Sequence, residues 1–445
     1  MPAEPADGAL PLSDQTLVGD AAFARAEQEI VRSRAGAIEL LDEFVRVPTV
    51  NPPGRHYLEF ALLLAQRLRD LGFAPRLIDV PARELARLGH DPAQPRPAVL
   101  AELGPEGAAD GGSSDLPALH FHGHYDVVPA EAPDLFRLAV DGDEARGRGA
   151  ADMKGGLVAL LLALAALRPL ARRLRGRVIL SVVPDEETGG AAGTEQLFRS
   201  GALPGRSLGM LMPEPTGEVI WNGNRGALSL LATVRGRMAH VALQHEGRNA
   251  FEGMLALGAQ LLELKREIES RRFDAPDLGI AGPPSVLLLG GTCGGGINFN
   301  VVPDAVRFSL DRRFHPAESG EAAEKELEGL FRRFRRQGWA LDIEWLQRGD
   351  ASLTAGDAPL ARAMAATVQA VTGRAPRFTL CPGILETRFF LRHGTPGLAY
   401  GPGELACSHG PEERVRLSRI LEVARVYARM AWTLLGTPRS TGARA

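Results

Sequence analysis

The stretch LHFHGHYDVVPA, residues 119–130, carries His120, His122 and His124 at alternate positions, with Asp126 two further on. A period of two puts all four side chains on one face of an extended segment. Imidazole beside carboxylate is the chemistry of metal ligation and of proton transfer. The strand is expected to end at Gly123, which sets His124 at its mouth. Asp126 is then placed to accept from the other ring nitrogen of His124 and select its tautomer. His120 and His122 lie further back, where a hydrogen-bonded core histidine is the ordinary outcome.

Other acids and one more histidine stand in comparable places, each after an apolar run or within a glycine-rich loop. Asp152 sits in GRGAADMKGG, where taken alone it reads better as the cap of the following helix. VVPDEETGG puts three acids in a row after a β-branched run. Adjacent acids repel unless a cation is near, and a solvated acidic turn is the plain alternative. Neighbouring side chains point in different directions, so one glutamate there can hold a metal while the other faces a reacting water. Glu214 lies in LMPEPTG, and His409 in GPGELACSHGPEE. Two histidines and three carboxylates form a donor set suited to zinc, cobalt or manganese. If one carboxylate bridges, such a set holds two ions about 3.5–4 Å apart.

The elements that must position these residues follow from the hydrophobic pattern. Residues 22–46 and 56–73 read as helices, broken by the prolines of VPTVNPPG. PAVLAEL, ALHFHGH and GRVILSVVP read as strands, the last a continuous run as for a strand buried on both faces. Strands alternating with long helices predict an α/β sheet with helices on both sides, a doubly wound fold. Ligands in such sheets collect at the carboxyl ends of the strands. GGLVALLLALAAL, residues 155–167, is too short to span a bilayer and reads as a core helix.

Between about 226 and 349 the order is strand, helix, two strands, helix, strand, the pattern of a compact α+β sandwich inserted into the larger domain. In LFRRFRRQG, Leu327, Leu330, Phe331 and Phe334 recur at helical spacing, so the arginines line a solvated face rather than a nucleic-acid patch. The expected organisation is a disordered tail over 1–21, a catalytic domain from 22–225 and 350–445, and an inserted lid over 226–349. The chain has 445 residues, 45% hydrophobic and 24% charged, with a net charge of -3 that favours neither nucleic acid nor anionic membrane. Cys293, Cys381 and Cys407 make no disulfide framework or zinc knuckle, and the expectation is a reducing, cytoplasmic setting.

GHYDVVP, GRGAADMKGG, DEETGG, EPT and the late SHGPEE occur in the order and spacing of the M20 metallopeptidase/deacylase family, which the chain resembles from VPTVNPPG onward. That family includes acetylornithine deacetylase, succinyl-diaminopimelate desuccinylase, aminoacylase 1 and glutamate carboxypeptidase. The resemblance implies a mixed-sheet catalytic domain with an inserted lid, and two divalent ions, zinc first with cobalt or manganese as alternatives. It implies His124, Glu187, Glu214 and His409 as terminal metal ligands, Asp152 as the bridge, Glu186 as general base and Asp126 as the partner of His124. It also implies a cis peptide at Asp152–Met153. In the lid it implies that Asn300 and Arg313 contact substrate and that His240 polarises the scissile carbonyl, acting across a homodimer formed through the lid. Gly383 matches a substrate loop. The chain departs from the family's usual residues in VALQH after His240, in Glu386 and in Ser408, positions that bear on substrate preference and leave the ligand set intact.

The reading is a hydrolase that cleaves an amide bond next to a carboxylate, with N-acyl amino acids as the leading substrates. A carboxypeptidase or dipeptidase presents the same groups. A catalytically silent binding relative would require loss of Glu186 or a ligand, and all are present.

Overall fold

The computed structural model describes residues 20–105, 116–273, 279 and 283–437. The tail expected over 1–21 lies outside these but for Asp20 and Ala21. Asp20 caps helix Ala21–Arg32, its carboxylate accepting from the backbone N–H of Ala22 and Phe23. The chain divides into two compact units, residues 1–222, 354–378 and 389–445 in one and 223–353 with 379–388 in the other.

The first unit is built on a mixed sheet. From one edge its strands run Arg76–Ile78, Ala98–Leu103, Arg177–Val183, Ala118–His124, Gly209–Met212, Gly397–Ala399 and Ile220–Asn224. Ala118–His124 is parallel to both Arg177–Val183 and Gly209–Met212, and Gly397–Ala399 is parallel to Gly209–Met212. Ala98–Leu103 pairs antiparallel with Arg177–Val183. Every residue of Ala118–His124 and of Arg177–Val183 is buried, which is why the latter carries apolar residues without alternation.

Helix Gly155–Leu167 packs on helix Leu417–Leu435 in the core of this unit. The stretch Ala150–Arg173 is long and apolar enough to cross a membrane by length and composition, but 83% of its most apolar window is buried within the fold. The segment read as one helix over 22–46 is two, Ala21–Arg32 and Arg34–Arg46. They meet at Ser33, whose N–H still bonds Ile30.

The second unit holds a four-stranded antiparallel sheet in the order Val286–Gly295, Ala305–Phe314, Gly226–Arg235, Ala340–Gly349. Helices Ala250–Ser270 and Gly320–Arg336 supply its core. Leu257 and Leu261 of the first helix join Leu327, Leu330, Phe331 and Phe334 of the second over Leu230, Phe308 and Leu310 of the sheet. Residues 379–388, which sequence order leaves in the catalytic segment, cluster here. Ser352 hydrogen-bonds Thr387, and a Cβ on Gly349 would meet Ile384, so side-chain packing rather than chain order decides the boundary.

Candidate metal centre

Three neighbouring parallel strands deliver residues to one edge of the sheet. His124 ends Ala118–His124. Glu186 and Glu187 lie in the short turn after Arg177–Val183, and Glu214 follows Gly209–Met212 by two residues. Adjacent strands lie about 4.8 Å apart, so residues just past their carboxyl ends come within reach of one another. His409 arrives from a later loop with a left-handed backbone, φ 65°. Asp152 lies in the turn before helix Gly155–Leu167 and makes no cap to that helix. Its peptide bond to Met153 is cis.

The result is two donor triads that share Asp152: His124, Asp152 and Glu214, then Asp152, Glu187 and His409, with the donor atoms of each within 4.8 Å of one another. His124 Nε2 lies 3.2 Å from Asp152 Oδ1 and 3.8 Å from Glu214 Oε1. His409 Nε2 lies 3.5 Å from Asp152 Oδ2 and 3.3 Å from Glu187 Oε2. The first triad is wholly buried, whereas the His409 side chain is half exposed.

The donors are oriented by a second set of contacts. His124 Nδ1 is 3.0 Å from the backbone oxygen of Asp126 and 3.4 Å from its carboxylate, which places the ring proton there and turns Nε2 toward Asp152 and Glu214. The Asp126 carboxylate also accepts the backbone N–H of Glu186, at 3.2 Å, and of Glu187, at 3.1 Å. One buried carboxylate therefore sets a histidine and the adjacent glutamate pair together.

The electrostatics call for positive charge. Burial lowers the affinity of His124 for a proton, but Asp126 and Asp152 beside it hold its imidazolium well above the usual range. Asp152 and Glu187 raise His409 to about 10. Burial disfavours the charge of Asp152, yet the two histidines hold its carboxyl well below the usual range. Burial pushes Glu187 up, with Asp152 adding to it. Glu187 Oε1 is buried with no hydrogen-bond partner among the described residues. A polar atom left so is costly unless a cation meets it. Imidazole and carboxylate donors at this spacing, with that orphaned oxygen among them, fit a pair of divalent ions.

Several residues of the site escape notice in the sequence. Asn51 Nδ2 lies 2.8 Å from Asp126, 2.9 Å from Thr188 and 3.4 Å from Asp185, joining the two turns that carry the donors. Asp185, in a left-handed conformation, is buried against Arg96 at 2.6 Å. Glu413 pairs with Arg148 at 2.5 Å. Their signal is their place beside residues with plainer chemistry: Asn51 in VPTVNPPG, Arg148 in GRGAADMKGG, Asp185 in the acidic VVPDEETGG and Glu413 in SHGPEE.

His120 and His122 lie outside the triads. His120 bonds the Ser207 hydroxyl at 2.8 Å; His122 sits between the hydroxyls of Ser181 and Thr194 at 2.6 and 2.9 Å. Both belong to the core.

His240, Asn300, Arg313 and Gly383 belong to the second unit. His240 is exposed and its Nδ1 accepts the N–H of Ala242. It pairs with Val301 in a short ladder beside Asn300, whose buried Oδ1 has no hydrogen-bond partner among the described residues. Arg313 forms an ion pair with Asp311 at 2.7 Å. Gly383 is half-buried next to Cys381.

The profile of Peptidase family M20/M25/M40 matches residues 120–433. The chain is 32% identical over 379 residues to the succinyl-diaminopimelate desuccinylase of Gluconobacter oxydans (strain 621H), covering 82% of this chain and 89% of that protein. It is 30% identical over 410 residues to the enzyme of the same name from Gluconacetobacter diazotrophicus, covering 90% and 97%. Among solved structures, the di-peptidase Dug1p from Saccharomyces cerevisiae superposes with TM-score 0.71 at 15% identity, covering 92% of this chain and 98% of that one. The metallo-carboxypeptidase Sso-CP2 from Sulfolobus solfataricus does so with TM-score 0.71 at 18% identity, covering 89% and 98%. At those identities the structures speak to fold alone.

Proposed function

We infer the activity from membership: this chain belongs to peptidase family M20/M25/M40 and is a metal-dependent hydrolase of amide bonds. Within that chemistry we propose that it removes the acyl group from an N-acyl amino acid. The names of its relatives support a dicarboxylic acyl group, succinyl first. The observation that carries the hydrolytic reading is the single carboxylate, Asp152, common to two triads, one wholly buried and the other reaching the surface through His409.

His124 and Glu214 would hold one ion, Glu187 and His409 the other, with Asp152 between them, and we propose zinc, with cobalt or manganese as substitutes. When bound, such a pair lowers the pKa of a water and offsets the negative charge that builds on the carbonyl oxygen. Glu186, next to a proposed ligand but distinct from it, takes a proton from the attacking water. As the C–N bond breaks, Glu186 returns that proton to the amine nitrogen, so a carboxylate and an amine leave. Asp126 keeps Glu186 in place through its backbone N–H. Arg313 offers a planar fork to the substrate carboxylate, and His240 a hydrogen bond to the carbonyl oxygen.

We propose further a homodimer through the lid, with His240 serving the partner's site. Strand Val286–Gly295 is an open sheet edge, and Phe251, Leu255 and Leu262 expose apolar surface on the helix packed beside it. Sedimentation that gives a monomer at working concentration would remove this part. A cytoplasmic site agrees with the lack of any disulfide among Cys293, Cys381 and Cys407.

The test uses purified protein stripped by a chelator and reloaded with zinc, cobalt or manganese, against N-succinyl and N-acetyl amino acids and dipeptides. Turnover should vanish on stripping, return on loading and be highest for an N-acyl substrate. Preference for dipeptides would move the assignment to a peptidase. Full turnover in protein free of metal by elemental analysis would overturn the hydrolytic mechanism.

A further inference from the structure

We propose that Glu413 is a positioning residue that, with Arg148, sets the separation of Asp152 and His409 and thereby determines metal affinity at the triad Asp152, Glu187 and His409. The inference rests on the reading of the two triads as a metal centre.

Strands Glu144–Arg146 and Arg414–Arg416 pair antiparallel, and the N–H of Gly147 bonds the carbonyl of Glu413 at 3.1 Å. That ladder carries Glu413 from the His409 loop to the Asp152 turn. There Glu413 Oε1 accepts the N–H of Ala151 at 3.0 Å and of Asp152 at 3.1 Å. Its Oε2 accepts Arg148 at 2.5 Å, and Arg148 in turn donates to the carbonyl of His409 at 3.2 Å. An unbroken line of hydrogen bonds thus runs from the backbone of one proposed ligand to the backbone of the other.

The line is protected. The side chains of Arg148 and Glu413 are 3% and 1% exposed, so neither can exchange its partner for water. His409 holds a left-handed backbone, a conformation of non-glycine residues that persists where the surroundings impose it. Arg148 grips the carbonyl of that very residue. The other triad depends less on this device, because His124 is fixed by Asp126 and Glu214 extends from its own strand. Loss of Glu413 releases both ends of the Asp152–His409 spacing but only one member of the His124–Asp152–Glu214 triad.

The experiment is a titration of metal-free protein with cobalt(II), followed by visible absorption and calorimetry, on wild type, Glu413→Ala and Glu413→Gln. Wild type should bind two ions per chain. Glu413→Ala should keep one site close to wild-type affinity and weaken the other by roughly 10–100-fold, the usual loss when a residue supporting a ligand is removed. Glu413→Gln keeps an oxygen for the two N–H groups and should lose less. If Glu413→Ala does not fold, Glu413→Gln carries the test, with a selective drop at one site expected. Two sites of undiminished affinity, or equal weakening of both, would overturn the inference while leaving the metal centre in place. A wild type that binds no ion would overturn both.

Discussion

The candidate site residues of the two units are held in opposite ways. In the first, His124 and Asp126 are buried, and Asp126 is engaged at once by Asn51, by two backbone N–H groups and by the imidazole it faces. In the second, His240 is exposed, Ile297 and Phe299 are 72% and 97% exposed on a glycine-rich segment, and Arg313 is tied to its near neighbour Asp311. The contrast follows from what each group must do. Donors for a divalent ion have to be held against mutual repulsion in a low dielectric, so their geometry is built beforehand. A group that meets a substrate must be able to change partners. The Arg313–Asp311 pair is partly exposed, and pairs of that kind contribute about 0–1 kcal/mol, so a substrate carboxylate can compete for the guanidinium.

If this contrast is right, substitutions in the buried network should act through metal and turnover, and those in the second unit through substrate affinity. The largest effect is expected for Glu186→Gln. It should lower kcat by roughly 10²–10⁴-fold with both ions still bound, whereas Glu187→Gln should lose metal. Reversal of that pattern in metal analysis would exchange the roles of the adjacent pair. Asn51→Ala comes next. It removes the amide that joins Asp126 to the turn of Glu186 and Glu187, and roughly 10–100-fold loss in metal affinity or kcat is expected. Wild-type values in both would show that Asp126 holds that turn unaided.

Arg313→Lys should raise KM about tenfold for a carboxylate substrate with kcat little changed, because an ammonium cannot reproduce the fork. A fall in kcat at constant KM would place Arg313 with the buried network instead.

The smallest effect separates the buried histidines that serve structure from those that serve the site. Burial pushes His120 down to about 3. As pH falls below the ordinary value of about 6.5, the unfolded chain takes up a proton that folded His120 refuses until about pH 3, so stability is lost through that window. In His120→Gln, which retains a group able to bond Ser207, the acid limb should be shallower by about 1.4 kcal/mol per pH unit between pH 6 and 4. Urea denaturation across that range measures it, and an unchanged slope would mean that His120 is protonated in the fold.

Much of the molecule was legible in the residue order because local chemistry and local periodicity agree. The β-branched run of Arg177–Val183, the helical spacing of Leu327, Leu330, Phe331 and Phe334, and the acids and histidines beside glycine each announce themselves within a few positions. His124, Glu214 and His409 stood out as candidates by type and context, whereas Asp152 as a ligand rather than a cap, and Glu187 rather than Glu186, came from the family resemblance. What residue order could not supply was distance. That Asp152 stands between two triads depends on three parallel strands ending side by side and on a loop more than 250 residues later turning back to them. Asn51, Arg148 and Glu413 were silent for the same reason. Amide, guanidinium and carboxylate side chains are ordinary surface residues until tertiary packing removes water from around them and leaves only each other to bond. The boundary of the second unit was silent too, since residues 379–388 join it through packing across the fold and not through adjacency in the chain. Sequence determined which groups were available, and only the closed, dry arrangement of the fold determined which of them face one another and how strongly each pair interacts.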